Sequence, residues 1–459
     1  MSSHRIKLRP IALAAFAVAV GVMSVRDRAP LVAQSSAPTF TADVAPILYK
    51  NCTTCHRPGG LGPFSLIDYQ GAKDNAKEMR DAVATGYMPP WHADAPHGTF
   101  VNDRRLSDQE KQTLIRWLDA GLPKGDAKAL PTPPVYPSSW SIGTPDAVVT
   151  MPEEYTVPAA GTIAYQYFEV PTNFTEDKWV QSLEILPGAR EVVHHVLVFA
   201  RVPRAAGGAP APTPMPPAAG APRSAPPRSV LVRNPAHGMP DTRPTAGAPP
   251  EPQREVGSLI GTTAPGTNVL TFPLGTALKI PAGSVLTFQM HYTARGHEMK
   301  DRTSVGMVFA KSPPEEQILA SSFQNGSFTI PAGAADYQVP GEIGFREPVR
   351  IWALFPHTHV RGVRWEYQLV KPDGSKEMIL NVPTYDFNWQ TYYMFAKPLD
   401  IPAGAKIESM AWYDNSATKK TNPDPSKDVK WGDQTWEEMQ YTGFLYTVNS
   451  RRLNPAPAR

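Results

Sequence analysis

The chain has 459 residues and ordinary apolar content, 41%, which allows two or three domains with real cores. Its net charge of +3 gives no support to a nucleic-acid or acidic partner. With two cysteines in all, Cys52 and Cys55, no thiol remains for a disulfide elsewhere.

The first 35 residues have the form of a secretory leader. Arg5, Lys7 and Arg9 precede an apolar run from Ile11 to Val25, and Gln34-Ser35-Ser36 follows. Arg26, Asp27 and Arg28 separate that run from a small-residue cleavage position at Ala33. A cleaved signal peptide and an N-terminal anchor therefore both stay open, although the run is short for a membrane span. Either form places the rest of the chain in the periplasm or outside the cell.

Residues 38–130 read as a small all-α domain. Phe40 to Tyr49 and Ala72 to Ala84 carry apolar residues at helical spacing. Ser107-Asp108-Gln109-Glu110 starts another helix with acidic residues in its first turn. Leu114, Ile115, Trp117 and Leu118 form its apolar face, and Gly121 then Pro123 stop it.

Cys52-Thr53-Thr54-Cys55-His56 has the C-x-x-C-H spacing that attaches a c-type haem. Two thiols add to the porphyrin vinyl groups, and the histidine supplies a proximal nitrogen to the iron. A zinc site would need two more strong ligands nearby, and a thioredoxin-like pair would need a βαβ setting; neither is visible. Met88, in Gly86-Tyr87-Met88-Pro89-Pro90-Trp91, is the expected sixth ligand, on a loop stiffened by proline. His92 and His97 are its rivals, and Met79 reads as core. This segment resembles a cytochrome c.

A Pro-rich linker, 131–140, precedes a change of pattern. From 141 to 450 short β-branched and aromatic runs alternate with Pro, Gly, Asn and Asp. They include Val192 to Val202, Ser284 to Thr293, Val349 to Leu354, Val363 to Val370 and Tyr441 to Val448. Ile-Pro-Ala-Gly recurs as a turn at Ile280, Ile330 and Ile401. The expectation is a mainly β, multidomain chain with two antiparallel sandwiches, 141–313 and 314–450, and a tail, 451–459. Residues 203–252, rich in Pro, Ala and Gly, read as a disordered insert in the first.

Five of the 11 histidines fall in three strand-like clusters of this β region. They are His194 with His195, His291, and His357 with His359. Side chains at i and i+2 share a strand face, so His357 and His359 can reach one metal. Imidazole suits copper, zinc, iron and nickel. Gln289 shares the face of His291 and is a candidate substrate-side or supporting group.

Glu191-Val192-Val193-His194-His195-Val196, Gln289-Met290-His291-Tyr292, His357-Thr358-His359-Val360-Arg361-Gly362 and Trp436-Glu437-Glu438-Met439-Gln440-Tyr441 occur in that order. The order is similar to the type II copper, ascorbate-dependent monooxygenases, the family of peptidylglycine α-hydroxylating monooxygenase and dopamine β-monooxygenase. The resemblance implies two copper ions on facing jelly-roll domains across a solvent-filled cleft. His194, His195 and His291 match the all-histidine site. His357, His359 and Met439 match the catalytic one, where a thioether favours the cuprous state.

Three departures from the family matter. No cysteine remains for its disulfides. Phe355 stands where the peptide-hydroxylating enzyme has a basic residue for the substrate carboxylate, and Tyr441 and Gly443 replace polar groups after the methionine. A carboxylate needs a charge-assisted donor, so a glycine-ended peptide is not the expected substrate. The expectation is an exported copper monooxygenase acting on dioxygen and a small molecule. Its electrons would come from an external donor or cytochrome through the fused haem. The alternative is a haem and copper electron-transfer or copper-handling protein without oxygen chemistry.

Overall fold

A computed structural model describes residues 37–136, 139–161, 163–202, 231–233, 258–263, 269–432, 434–449 and 453. The leader and all but Leu453 of the expected tail 451–459 lie outside the described residues, as does most of the insert. Among the described residues no helix is long and apolar enough to cross a membrane.

The chain from Pro38 onward is one compact unit. It begins with helices. A wide helical turn, Phe40–Val44, runs into Ala45–Asn51; Tyr69–Asp74, Ala76–Thr85 and Asp108–Asp119 follow. The single helix expected over Ala72 to Ala84 is broken at Asn75, which caps the end of one helix and the start of the next. Ser107 and Glu110 form a reciprocal cap, satisfying two N-terminal donors together. Leu114 and Trp117 meet Phe40, Val44, Leu48, Met79 and Val83 in a small apolar core. Met79 is therefore core, as its helical position suggests.

The remainder is mainly β. A nine-stranded sheet forms the middle layer, and a four-stranded and a five-stranded sheet complete the two halves. The four-stranded sheet runs in the order Gln166–Pro171, Val285–Tyr292, Val193–Arg201, Ser258–Thr263. Its apolar face meets the first half of the large sheet through Val180, Leu183, Val196, Phe288 and Val305. The five-stranded sheet packs on the second half through Ile343, Trp365, Tyr367, Ile351 and Phe444. The three Ile-Pro-Ala-Gly turns hold, with Gly283, Gly333 and Gly404 all at positive φ, where glycine lacks the steric penalty of a side chain.

Three features differ from the sequence reading. The two β halves are joined: Glu316–Ile318 pairs in parallel with Thr276–Leu278, so one sheet runs through both. Within the expected insert, Leu231–Arg233 pairs with Ile343–Phe345 as an edge strand; it is a short β-prone run between prolines. Finally, the stretch after Met88 leaves the helical core. Trp91, Ala93 and Phe100 are buried with Tyr393 and Phe395 in the second β core. Backbone bonds from Val101 to Met394, from Ala396 to Thr99 and from Asp94 to Asn381 fix this strap. Apolar burial by Trp91 and Phe100 outweighs the sequence proximity of the strap to the helices.

Candidate metal centre

His194 and His195 are consecutive, yet strand geometry sends consecutive side chains to opposite faces. The register resolves this. His291 pairs with His195, but Tyr292 pairs with Val193, so His194 is an extra residue. Such a bulge re-aims side chains locally. The three rings lie 4.7–5.3 Å apart. Nδ1 of His195 is 3.1 Å from Nδ1 of His194 and 3.3 Å from Nδ1 of His291.

Two of the other three ring nitrogens lie against hydroxyls, and Nε2 of His194 is buried without a hydrogen-bond partner. Nε2 of His195 lies 3.1 Å from the Tyr165 hydroxyl, and Nε2 of His291 lies 3.2 Å from the Thr435 hydroxyl. A neutral imidazole has one N–H and one lone pair. With the Nε2 protons of His195 and His291 on these hydroxyls, their Nδ1 lone pairs face each other and Nδ1 of His195 faces that of His194, an arrangement satisfied by a shared cation. The candidate ligand atoms lie within 4.8 Å of one another. This donor set fits copper.

The second pair uses the opposite nitrogens. The strand Val349–His357 ends at His357, so His359 lies beyond it, in a turn. The two rings still meet, 5.3 Å apart. His357 Nδ1 lies 2.9 Å from the Gln390 amide oxygen, and His359 Nδ1 lies 3.0 Å from the Glu437 carbonyl. Both partners accept, so both Nδ1 atoms carry the proton and both Nε2 atoms keep a lone pair. Nε2 of His359 is buried with no hydrogen-bond partner, as a metal ligand would be.

Glu438 builds the turn that presents His359. Its buried carboxylate accepts the backbone N–H groups of His359 at 2.8 Å, Arg361 at 2.7 Å and Met439 at 3.3 Å. Burial pushes its carboxyl up to about 7, while the three N–H groups and Arg361 pull the other way; the all-donor surroundings favour the carboxylate. Arg361 is itself buried, with its guanidinium on Asn415 and the Trp436 carbonyl. Gly362 is required here, since a Cβ would lie 1.8 Å from the Thr358 hydroxyl. Half-buried Met439 begins the approach to the strand Gln440–Val448, its backbone tied to the same carboxylate as His359.

The two groups adjoin. The rings of His195 and His357 lie 6.3 Å apart, where the resemblance implies a solvent-filled cleft between them. The shared sheet draws the halves together, and Ala353, Phe355, Tyr392 and Leu445 of the second half join the first half's apolar core. His195, His291, His357 and His359 are all 8% exposed or less. Burial lowers every imidazole, His194 and His357 to about 4, His291 to about 3, and His195 and His359 well below the usual value; repulsion from neighbouring imidazoles adds to this in all but His194. All five stay neutral at pH 7, with lone pairs available.

Sequence reasoning missed Phe387, Gln390, Thr435 and Glu438. Phe387 stacks on His194 at 4.8 Å and stands 6.1–6.5 Å from His195, His291 and His359. Of the other expected residues, Phe355 lies 6.3 Å from the His357 ring at 9°, and Tyr441 lies 6.2 Å from it on the paired strand. Gln289 donates to the Tyr167 hydroxyl at 2.8 Å, one strand step pair from His291 on the same face.

In the helical part, Cys52 and Cys55 are free thiols in the turn after Asn51. Burial pushes the Cys52 thiol up to about 12 and raises Cys55 as well. Redox-active C-x-x-C pairs show the opposite shift. His56 Nδ1 lies 3.3 Å from the Phe64 carbonyl, which leaves Nε2 as a ligand. Arg104, Arg57 and Arg190 bring positive charge to Cys55. Two thiols, a free Nε2 and nearby cations fit a carboxylate-bearing haem. The linker packs here too: Tyr136 bonds the Thr53 hydroxyl and lies under Arg57, 4.6 Å away. Met88 follows the Gly86 helix stop, half-buried, with its N–H on the Ala82 carbonyl at 3.1 Å. His97 is held by Asp94 at 2.9 Å on the strap, and burial lowers His92.

No family model matches the chain, and no curated protein matches it. Among solved structures, a chain of "Structure of infectious bursal disease virus Gx strain" aligns at 11% identity over 68% of this chain and 75% of that one. Its TM-score of 0.18 is too low to bear on fold or function.

Proposed function

We propose that the chain is an exported copper-dependent monooxygenase, hydroxylating a C–H bond of a small organic molecule with dioxygen and drawing electrons through a covalent haem. In this reading the helical part is a cytochrome c domain and the β halves are paired jelly rolls. The observation that carries it is the division of labour among ring nitrogens: three Nδ1 atoms converge in one group, and two Nε2 atoms are freed in the other.

His194, His195 and His291 would hold one copper; His357, His359 and Met439 would hold the second. Cys52, Cys55 and His56 would hold the haem, with Met88 as sixth ligand. Bound copper supplies one-electron chemistry toward dioxygen, and haem supplies electrons singly; hydroxylation needs two, because one oxygen atom leaves as water. The chain's own residues do the rest. Gln390 and the Glu437 carbonyl hold the Nδ1 protons of His357 and His359. Tyr165 and Thr435 hold the Nε2 protons of His195 and His291. Phe355, 6.3 Å from the His357 ring, and Tyr392, 4.7 Å from Phe355, are buried and would give that side an apolar wall.

Protein exported with haem-attachment machinery and loaded with copper should carry one haem and two coppers per chain. The haem should survive acid-acetone extraction. Extractable haem, or copper at background level in folded protein, would overturn the corresponding part of the reading.

A further inference from the structure

The first metal group is not built by the first β half alone. His194, His195 and His291 come from the paired strands Val193–Arg201 and Val285–Tyr292. Tyr165, which meets Nε2 of His195, precedes the strand Gln166–Pro171 of the same sheet. The other two rings are met from the second half. Phe387 stacks on His194 at 4.8 Å and 22°. The Thr435 hydroxyl lies 3.2 Å from Nε2 of His291, 144 residues away in sequence.

Thr435 belongs to a segment that also serves the second group. Within residues 434–439 the Glu437 carbonyl accepts from His359 Nδ1 at 3.0 Å, and the Glu438 carboxylate accepts from the His359 backbone at 2.8 Å. The segment ends at Met439. Its place in the sequence suggests that Thr435 supports these neighbours, but its side chain does not. Among the described residues His291 is the only hydrogen-bond partner of its hydroxyl. The turn closes without it and without Glu438. The Gln434 N–H donates to the Glu437 carboxylate, and the Glu437 N–H donates to the Gln434 carbonyl, both at 2.9 Å. The bond matters to the ring it meets. A neutral imidazole has one N–H. With that proton held at Nε2 by the hydroxyl, His291 turns an Nδ1 lone pair toward Nδ1 of His195, 3.3 Å away. Without the acceptor, the ring can place its proton at Nδ1, where a cation would have to displace it. Threonine is stiff at χ1, which fixes the direction of the acceptor.

Resting on the copper part of the proposed function, we infer that the three-histidine site is completed across the two halves, with Thr435 as the positioning residue that fixes the tautomer and aim of His291. The segment that carries the thioether of one site thus sets a ligand of the other.

The test is anaerobic titration of full-length, haem-loaded protein with cuprous ion against a chromogenic chelator, which needs no turnover. Each site is isolated in turn: His359→Ala leaves the three-histidine site, and His195→Ala leaves the other. Thr435→Val keeps the side-chain shape and removes the hydroxyl. In the His359→Ala background it should weaken copper by about tenfold or more, the range for an outer partner of a ligand histidine. In the His195→Ala background it should leave affinity within about threefold. Thr435→Ser, which restores the hydroxyl, should return the three-histidine site to within about threefold of its starting affinity. Cupric EPR of Thr435→Val in the otherwise unaltered chain should show a shift in the component that His195→Ala abolishes. Unchanged affinity at the three-histidine site, a loss confined to the site of His359 and Met439, or no recovery with serine would overturn the inference. The second of these results is what a residue that merely props up its own segment would give. Copper at background level in both backgrounds of folded protein would overturn the copper reading, and the inference with it. Site-selective weakening as described, in a protein that shows no oxygen chemistry, would uphold the inference and count against the monooxygenase reading alone.

Discussion

Glu438→Ala should destabilise the chain by about 3–5 kcal/mol, the cost of leaving a buried charge without its partner. The carboxylate serves the backbone N–H groups of His359, Arg361 and Met439. Its removal leaves three buried donors unmet, each costing about 1–3 kcal/mol where water cannot enter. It also deprives the buried Arg361 guanidinium of its strongest negative neighbour. The same change releases the turn that presents His359 and the backbone of Met439. Copper should therefore fall from two per chain to one, with the remaining ion on His194, His195 and His291. Denaturant unfolding of the metal-free protein checks the first effect and metal analysis the second. Glu438→Gln, which keeps one acceptor, should fall between. A Glu438→Ala protein within about 1 kcal/mol of the original, the range of an ordinary substitution, and with both coppers in place would show that the carboxylate does not build the turn.

His195→Ala should empty the other group. His195 is the centre of its geometry, because its Nδ1 faces the Nδ1 atoms of both His194 and His291. Outer partners of metal-binding histidines contribute about 10–100-fold in affinity, and loss of the central ligand should exceed that. The rings of His195 and His357 are 6.3 Å apart, so the spectrum of the retained copper should shift as well. Titration with a competing chelator and EPR read both effects. Two coppers of unchanged affinity in His195→Ala would refute the assignment of the triad.

Much of the fold is visible in the sequence where one local cause suffices. Ser107 and Glu110 announce a helix because the cap is made by those residues themselves. The run Val192 to Val202 announces a strand because β-branched residues alternate across a half-buried sheet, and Val193–Arg201 is one. The histidines stand out because buried imidazoles recur in strand-like runs. Harder to read are features set by distant parts of the chain. The bulge at His194 depends on how its neighbours Val193 and His195 pair with Tyr292 and His291. The strap around Trp91 and Phe100 follows the helical segment in sequence but finds its partners at Tyr393 and Phe395. Phe387 and Gln390 lie in a loop with no periodicity, and only the folded chain brings them to His194 and His357. Glu438 had a visible signal, an acid beside Met439 and a buried strand, but such an acid is usually solvated.

If these residues support oxygen insertion, oxygen uptake will depend on substrate. Copper-loaded protein with reduced haem and excess reductant would be given isotopically labelled dioxygen and a broad panel of small organic molecules. Uptake should rise with one of them, with one labelled oxygen atom in each hydroxylated product and the other in water. Uptake that is the same with and without every member of the panel, with no label in any organic product, would contradict oxygen insertion and favour a protein that carries electrons or copper without oxygen chemistry.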